Sequence, residues 1–92
     1  MNIEIIDAKK SKDISHCFDI RKLVFVKEQG VPVEEELDEF DDISIHALAF
    51  IDKKPVATGR LISSENKAKI GRMAVLPEFR RSGLGGKILS FL

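Results

Sequence analysis

The feature that most constrains the fold is a glycine-rich turn between a predicted strand and a predicted helix. Gly83, Gly85 and Gly86 follow the basic pair Arg80-Arg81. Glycine lets the backbone approach a bound group closely, and the first amides of a helix have no partner inside the helix. The helix dipole adds partial positive charge at the same point. The segment therefore predicts a site for phosphate groups.

The spacing of this segment excludes two common phosphate-binding motifs. A Walker A loop needs a glycine at position 81 and a hydroxyl residue at position 88, where the sequence has Arg81 and Ile88. A dinucleotide fingerprint that starts at Gly83 needs a third glycine, again at position 88. The pattern that remains is R-x-x-G-x-G, at residues 80–85, after a strand that ends in V-L-P.

Hydrophobic periodicity predicts an α+β domain of one layered unit. The 92 residues are 43% hydrophobic and 33% charged, which is typical of a globular chain and sets one domain as the upper limit. Ser11 is the predicted cap of the first helix, and Gly30 with Pro32 is its predicted end. The predicted order is a strand at 2–7, a helix to about 28, an acidic loop or short helix at 33–42, antiparallel strands at 43–51, 56–63 and 67–76 with turns at 52–55 and 64–66, and a helix that opens at 83–86.

Three polar side chains are predicted to be structural or exposed. Cys17 lies on the apolar face of the first helix, which runs through Ile14, Cys17, Phe18, the stem of Arg21, Val24 and Phe25, and is expected to be a core residue. His16 is expected to be exposed. His46, at a strand start that is covered on both faces, is expected to be a structural hydrogen-bonding residue rather than a catalytic one.

The net charge of zero conceals a strong asymmetry along the chain. Residues 1–52 carry six basic and 13 acidic side chains, whereas residues 53–92 carry nine basic and two acidic ones. Seven of the acids fall within residues 34–42. The pattern predicts an anion-binding surface in the basic half and an attractor for cations in the acidic run, with a merely solvated loop as the alternative for that run.

The turn at 80–85 resembles the acetyl-CoA pyrophosphate loop of the GNAT superfamily of N-acetyltransferases. The resemblance extends upstream through R-K-L-V-F-V-K-E-Q-G-V-P-V-E-E-E-L-D-E-F-D-D at 21–42, His46, P-V-A-T-G-R at 55–60 and I-G-R-M at 70–73. Together these segments resemble one subfamily of small bacterial acyltransferases. The resemblance implies the GNAT fold, with a mainly antiparallel sheet, and acetyl-CoA as co-substrate.

The resemblance also implies where acetyl-CoA binds. The strand before the turn would pair its backbone with the pantetheine arm, and the amides from Arg81 to Gly86 would hold the pyrophosphate. Arg80, Arg81 and Lys87 would add positive charge of a kind that pairs with phosphate oxygens. The implied binding residues are Met73, Ala74, Val75, Arg80, Arg81, Ser82, Gly83, Leu84, Gly85, Gly86 and Lys87.

The chemistry implied by the family is direct acetyl transfer to a primary amine in a ternary complex. A backbone amide near Met73 would stabilise the oxyanion on the thioester carbonyl. The general base stays unassigned, because Gly71 lies where some relatives carry a glutamate; Glu28 and the acids at 34–36 are candidates. The acceptor is a small molecule or a peptide, and the acidic run suggests that it is cationic.

GNAT domains continue past this turn with a strand, a helix and a hairpin, so the resemblance implies that residues 1–92 form a single incomplete domain. The tyrosine that relatives use to protonate the leaving thiolate has no counterpart, since the chain has no tyrosine. Three hypotheses stay open. The chain is a truncated acetyltransferase, a non-catalytic CoA-binding module, or a homo-oligomer that pairs through the exposed edge of residues 70–76.

The remaining expectations concern location and partners. With Cys17 as the single cysteine, no intrachain disulfide forms, which favours a reducing compartment, and no signal peptide or apolar membrane span is visible. The cytoplasm is therefore expected. The absence of Trp and Tyr argues against nucleic-acid binding, and no Cys/His cluster has metal-ligand spacing.

Overall fold

Four antiparallel strands form one sheet in the order β1-β2-β3-β4, as the α+β prediction requires. The structure is a computed structural model that describes residues 2–36, 38–64 and 67–92. The strands are β1 (Ile3–Asp7), β2 (Ile45–Ile51), β3 (Lys54–Ser64) and β4 (Lys67–Val75), and the α-helices are α1 (Ile14–Arg21), α2 (Val33–Glu36) and α3 (Leu84–Phe91). The predicted turn at 64–66 lies outside the described residues apart from Ser64, the last residue of β3.

The first helix ends where the sequence predicts. After α1 the chain continues as a π-helix over Lys22–Glu28. Gly30 then adopts a left-handed φ of +74° and donates its N–H to the carbonyl of Val26. Glycine reaches that conformation without a Cβ clash, so Gly30 terminates the helix as expected.

The prediction that Ser11 caps the first helix is wrong. The helix begins at Ile14, with Asp13 at the N-cap and no side-chain cap. The hydroxyl of Ser11 instead donates to the carbonyls of Asp7 and Ala8. The side chain is therefore used by the turn that leaves β1, two residues too early to reach the helix amides.

A helical layer covers each face of the sheet. On one face α3 packs in a cluster of Ala47, Ala49, Ile51, Val56, Ala57, Leu84 and Ile88. On the other face α1 packs in a cluster of Ala8, Cys17, Ile20, Val24, Leu48 and Ala74. Side chains of β2 alternate between the two clusters, so the prediction that this strand is covered on both faces is confirmed. No helix within the described residues is long and apolar enough to cross a membrane.

Two predicted strand boundaries move by two residues. Ile43 lies outside β2 with 64% of its surface exposed, because residues 39–42 form a 3-10 helix and the Ile43 amide donates to Phe40 at its end. Lys54 and Pro55 belong to β3 rather than to the preceding turn. Only Asp52 and Lys53, both with positive φ, form that turn.

A β-bulge interrupts the pairing of β3 with β4. The register pairs that flank it are Thr58–Ala74 and Arg60–Gly71. Between them Gly59 alone lies opposite both Arg72 and Met73, so β4 has one extra residue there. Arg72 adopts a left-handed φ of +50°. The extra residue of a bulge is left out of the hydrogen-bonding ladder.

Gly59 is required at this point by packing. A Cβ built on it would lie 2.6 Å from the Met73 sulfur and 2.7 Å from Cγ2 of Ile88. Both separations are far shorter than normal contacts between non-bonded atoms. The glycine therefore lets the bulge and α3 approach β3 together.

We expect Gly59→Ala to lower the free energy of unfolding by about 1–3 kcal/mol, because an added methyl overpacks the core. Urea unfolding measures the change. Gly71→Ala is the matched control on the neighbouring strand, because its Cβ would meet nothing within 4 Å, and its effect should stay within about 0.5 kcal/mol. Equal losses in the two variants would contradict the packing account.

Candidate functional site

The glycine-rich turn joins the end of β4 to α3 as the sequence predicts. Pro77–Phe79 form a 3-10 turn, and both Arg81 and Gly83 have left-handed φ, +71° and +80°. Gly83 is the N-cap of α3. Leu84 and Ile88 are buried on the sheet, so core packing fixes the position of the helix N-terminus.

Gly85 and Gly86 lie in the first turn of α3 and border open space. A Cβ at either position would meet nothing within 4 Å, and neither has a left-handed φ. Neither packing nor conformation therefore requires glycine there. Lys87 follows with an exposed side chain. The site thus combines free space, helix N-terminal amides and a cation, which suits phosphate groups.

Arg80 is tied to the end of the first helix. Its guanidinium makes a two-pronged ion pair with Glu28, at 2.6 and 3.0 Å, and its Nε donates to the carbonyl of Val75 at 3.0 Å. The hydrogen bond from Arg80 holds the pKa of Glu28 below its usual range. Of the three cations expected near the pyrophosphate, Arg81 and Lys87 are exposed, while Arg80 bridges two elements.

The strand residues of the predicted site lie directly beyond the bulge. Ala74 is buried towards α1, and Met73 and Val75 pack at the border of the α3 cluster. Among the described residues β4 is an edge strand, paired only with β3. Its outer edge has no strand partner there, although the Val75 carbonyl accepts from Arg80, so an extended ligand could pair with it as another strand does.

The acidic run wraps around a buried guanidinium. Arg21 is fully buried; its Nε donates to Glu36 at 2.6 Å and its Nη1 to Asp41 at 2.7 Å. Its Nη2 donates to the backbone carbonyl of Glu36. Burial raises the pKa of Asp41, but hydrogen bonds from Arg21 and Arg60 outweigh it and hold the pKa below its usual range.

Two further arginines reach this run from the basic half of the chain. Arg60 on β3 donates to Asp38 at 2.7 Å and to Asp41 at 3.0 Å. Arg72 on β4 donates to Asp38 at 3.2 Å and to the carbonyls of Glu35 and Glu36. We call this cluster the arginine–carboxylate network.

The network corrects the interpretation of the charge pattern. Glu36 and Asp41 are neither a solvated loop nor free to attract cations, since both are buried and ion-paired. Arg60 and Arg72 likewise face carboxylates rather than an anion site. The sequence signal that could have revealed the network is the opposite charge of the two halves, which favours their contact.

The predicted structural positions of the histidines and the cysteine are confirmed. His46 is buried, and because a carbonyl can only accept, its Nε2–H donates to the carbonyl of Asp41 at 2.9 Å. Cys17 is buried, and burial is the main reason that its pKa is raised. His16 is exposed. The described residues contain no group of three or more His, Cys, Asp or Glu side chains arranged to hold a metal ion.

The candidate bases differ in accessibility. Glu36 is buried against Arg21, and Glu28 is bound by Arg80, so neither carboxylate is free. Glu34 and Glu35, on α2, are exposed. Glu35 lies beside the bulge, because its carbonyl accepts a hydrogen bond from Arg72 at 3.3 Å.

Comparison with known proteins decides the family. The model of the acetyltransferase (GNAT) family matches residues 14–92. The chain belongs to this family. YjcF, an uncharacterized N-acetyltransferase of Bacillus subtilis strain 168, is 38% identical over 90 residues. This match covers 98% of the chain and 64% of YjcF, so the chain spans less than two thirds of this relative's length.

Solved structures share the fold. An acyl-CoA N-acyltransferase from Pseudomonas aeruginosa superimposes with a TM-score of 0.80 at 26% identity, over 98% of this chain and 64% of that one. ElaA from Escherichia coli gives 0.77 at 23% identity, over 98% and 65%. The structure of a predicted acetyltransferase from Clostridium acetobutylicum, which includes acetyl-CoA, gives 0.68 at 20% identity, over 98% and 69%. The architecture is therefore the GNAT fold.

We expect Asp41→Asn to lower the free energy of unfolding by about 1.5–3 kcal/mol, the usual contribution of hydrogen bonds to charged groups, since Arg21 and Arg60 lose this counter-charge but keep Glu36 and Asp38. Thermal and urea unfolding measure the change. Asp42→Asn is the matched control, because that neighbouring side chain is exposed. It should alter stability by no more than about 0.5 kcal/mol. If Asp41→Asn lowered the free energy of unfolding as little as Asp42→Asn does, the structural role of Asp41 would be contradicted.

The stability of the fold should also fall as the pH is lowered through the histidine range. Burial is the main cause that lowers the pKa of His46 from its ordinary 6.5. The unfolded chain therefore binds the proton first, and the stability that neutral His46 contributes is complete above pH 6.5 and is lost below it. Urea midpoints between pH 7.5 and 5 test this. His46→Gln should show a flatter dependence, and an unchanged slope would refute the assignment.

Proposed function

We propose that this chain forms the acetyl-CoA site of an N-acetyltransferase that acetylates a primary amine. The observation that carries the proposal is the pair of glycines at 85 and 86, which border open space at a helix N-terminus where nothing in the fold requires glycine. A pyrophosphate held by the amides of residues 81–86 would account for both, because a side chain there would occupy the ligand's space.

The pantetheine arm would lie along the open edge of β4. Met73 and Val75 would offer backbone groups, with Ala74 anchored in the core between them. Acetyl-CoA supplies an acetyl thioester when bound. The amide of Met73, in the bulge, would donate to the thioester oxygen, where negative charge develops during attack by an amine.

The acceptor amine would approach from the side of α2. Glu34 and Glu35 keep exposed carboxylates there, and Glu35 borders the bulge through Arg72. These groups favour a cationic amine in its resting state. Glu28 is a poor candidate for the base, because Arg80 lowers its pKa and a carboxylate of lower pKa is a weaker base.

The first test is acetyl-CoA binding to the 92-residue chain by calorimetry. We expect a dissociation constant in the micromolar range and at least a tenfold weaker one for Gly85→Leu. The same substitution should leave stability unchanged or raise it by about 0.5–1 kcal/mol, because leucine is the better helix former. Ser15→Leu adds similar bulk at an exposed position of α1, on the other face of the sheet, and should bind like the parent. Equal affinity of Gly85→Leu and the parent would refute the site.

A transfer assay separates catalysis from simple binding. Release of the free thiol from acetyl-CoA is followed with a panel of primary amines, cationic and neutral. Amine-dependent release supports the acetyltransferase. Binding without release from any amine would favour a CoA-binding module instead.

A further inference from the structure

Arg72 has an unusual combination of conformation and contacts. Its left-handed φ of +50° is uncommon for a residue with a long side chain. Its guanidinium donates to the Glu36 carbonyl at 3.2 Å through Nε, and through Nη2 to the Glu35 carbonyl at 3.3 Å and to Asp38 Oδ2 at 3.2 Å. All three acceptors belong to Glu35, Glu36 and Asp38, so one side chain links the bulge to the end of α2 and to the start of the 3-10 helix.

These acceptor residues are themselves held firmly. The Glu36 carboxylate and carbonyl both accept from buried Arg21. Asp38 is the N-cap of the 3-10 helix and accepts from Arg60 and from the amide of Phe40. The acceptors of Arg72 are therefore fixed to the first helix and to β3, and they form a rigid support beside β4.

The position of the bulge decides which backbone groups of β4 face its open edge. Successive residues of a strand present their N–H and C=O groups alternately to the two edges. A shift of one residue in the register would exchange the groups that face the open edge and turn the side chains of Met73 and Ala74 to the opposite faces. Only the present register buries Ala74 and places Met73 against Gly59.

We propose that Arg72 is a positioning residue that locks the β4 bulge in register and so sets the backbone edge that receives the pantetheine arm. The acidic run acts as the anchor for this guanidinium. The proposal rests on the proposed function for its ligand, while the role of Arg72 in holding the bulge is a property of the free protein. Lysine would keep the charge but lacks the flat fork that reaches two carbonyls and a carboxylate together.

The ligand test compares CoA with ADP, which has the pyrophosphate but lacks the pantetheine arm. Calorimetry is done on the 92-residue chain and on Arg72→Asn, in which asparagine tolerates the left-handed conformation. We expect the dissociation constant of CoA to rise at least tenfold and that of ADP to change less than twofold. Lys69→Asn removes one exposed charge from the same strand and should match the parent for both ligands. Equal weakening of both ligands by Arg72→Asn, or of neither, would overturn the proposal.

A second measurement needs no ligand. Amide hydrogen exchange of Gly71 and Ala74, the β4 residues that flank the bulge in the register with β3, should be at least tenfold faster in Arg72→Asn, while residues 45–51 of the central strand β2 serve as internal reference. Unchanged exchange at Gly71 and Ala74, or equal acceleration in β2, would overturn the proposal. Arg72→Lys should show the same pattern at smaller amplitude and replaces the asparagine variant if that one does not fold. If the parent binds neither CoA nor ADP, the proposed function fails, and the exchange data alone decide the role of Arg72.

Discussion

The buried guanidinium of Arg21 is the interaction on which the arrangement of the other elements depends. A charge removed from water is costly unless its partners are close and its hydrogen bonds are complete. Arg21 meets that condition only when Glu36 and Asp41 lie against it. The ring of Phe18 covers the remaining face, 5.2 Å from the guanidinium carbon. The segment between α2 and β2 therefore has one acceptable position, beside the first helix.

The acidic run that pairs with Arg21 also connects the helical layer to the sheet. Asp41, once held by Arg21, also accepts from Arg60 on β3, and its carbonyl accepts from His46 at the start of β2. Through Asp38 and the carbonyls of α2 the same segment reaches Arg72 on β4. The first helix and strands β2, β3 and β4 thus meet at the acidic run, and loss of Asp41 would remove one of the two carboxylates that face each of Arg21 and Arg60.

The sequence predicted much of this fold because its signals were local. Alternation identified β1 and β2, the turns between them identified β3 and β4 as returning strands, Gly30 marked the end of the first helix, and the glycine spacing identified the turn before α3. The bulge was not predictable, because it is a mismatch in the pairing of two strands, which the sequence of either strand does not show by itself. The burial of Arg21 was only half predicted. Periodicity placed its aliphatic stem on the apolar face, but no local pattern indicates that carboxylates distant in the sequence bind its guanidinium in the interior.

Some glycines of the chain are required by the fold, whereas others have a position that only a bound ligand would explain. Gly59 is set by close packing, and Gly30 and Gly83 by left-handed backbone. Gly71, Gly85 and Gly86 meet neither condition, but only Gly85 and Gly86 lie in a helix, where glycine is less stable than alanine by about 1 kcal/mol. An isolated helix as short as α3 is unstable in water, so burial of Leu84 and Ile88 must offset this loss. Among the helices of the described residues, glycine occurs only in the turn whose amides face open space, which is the expected pattern where a bound group, and not the fold, selects the residue.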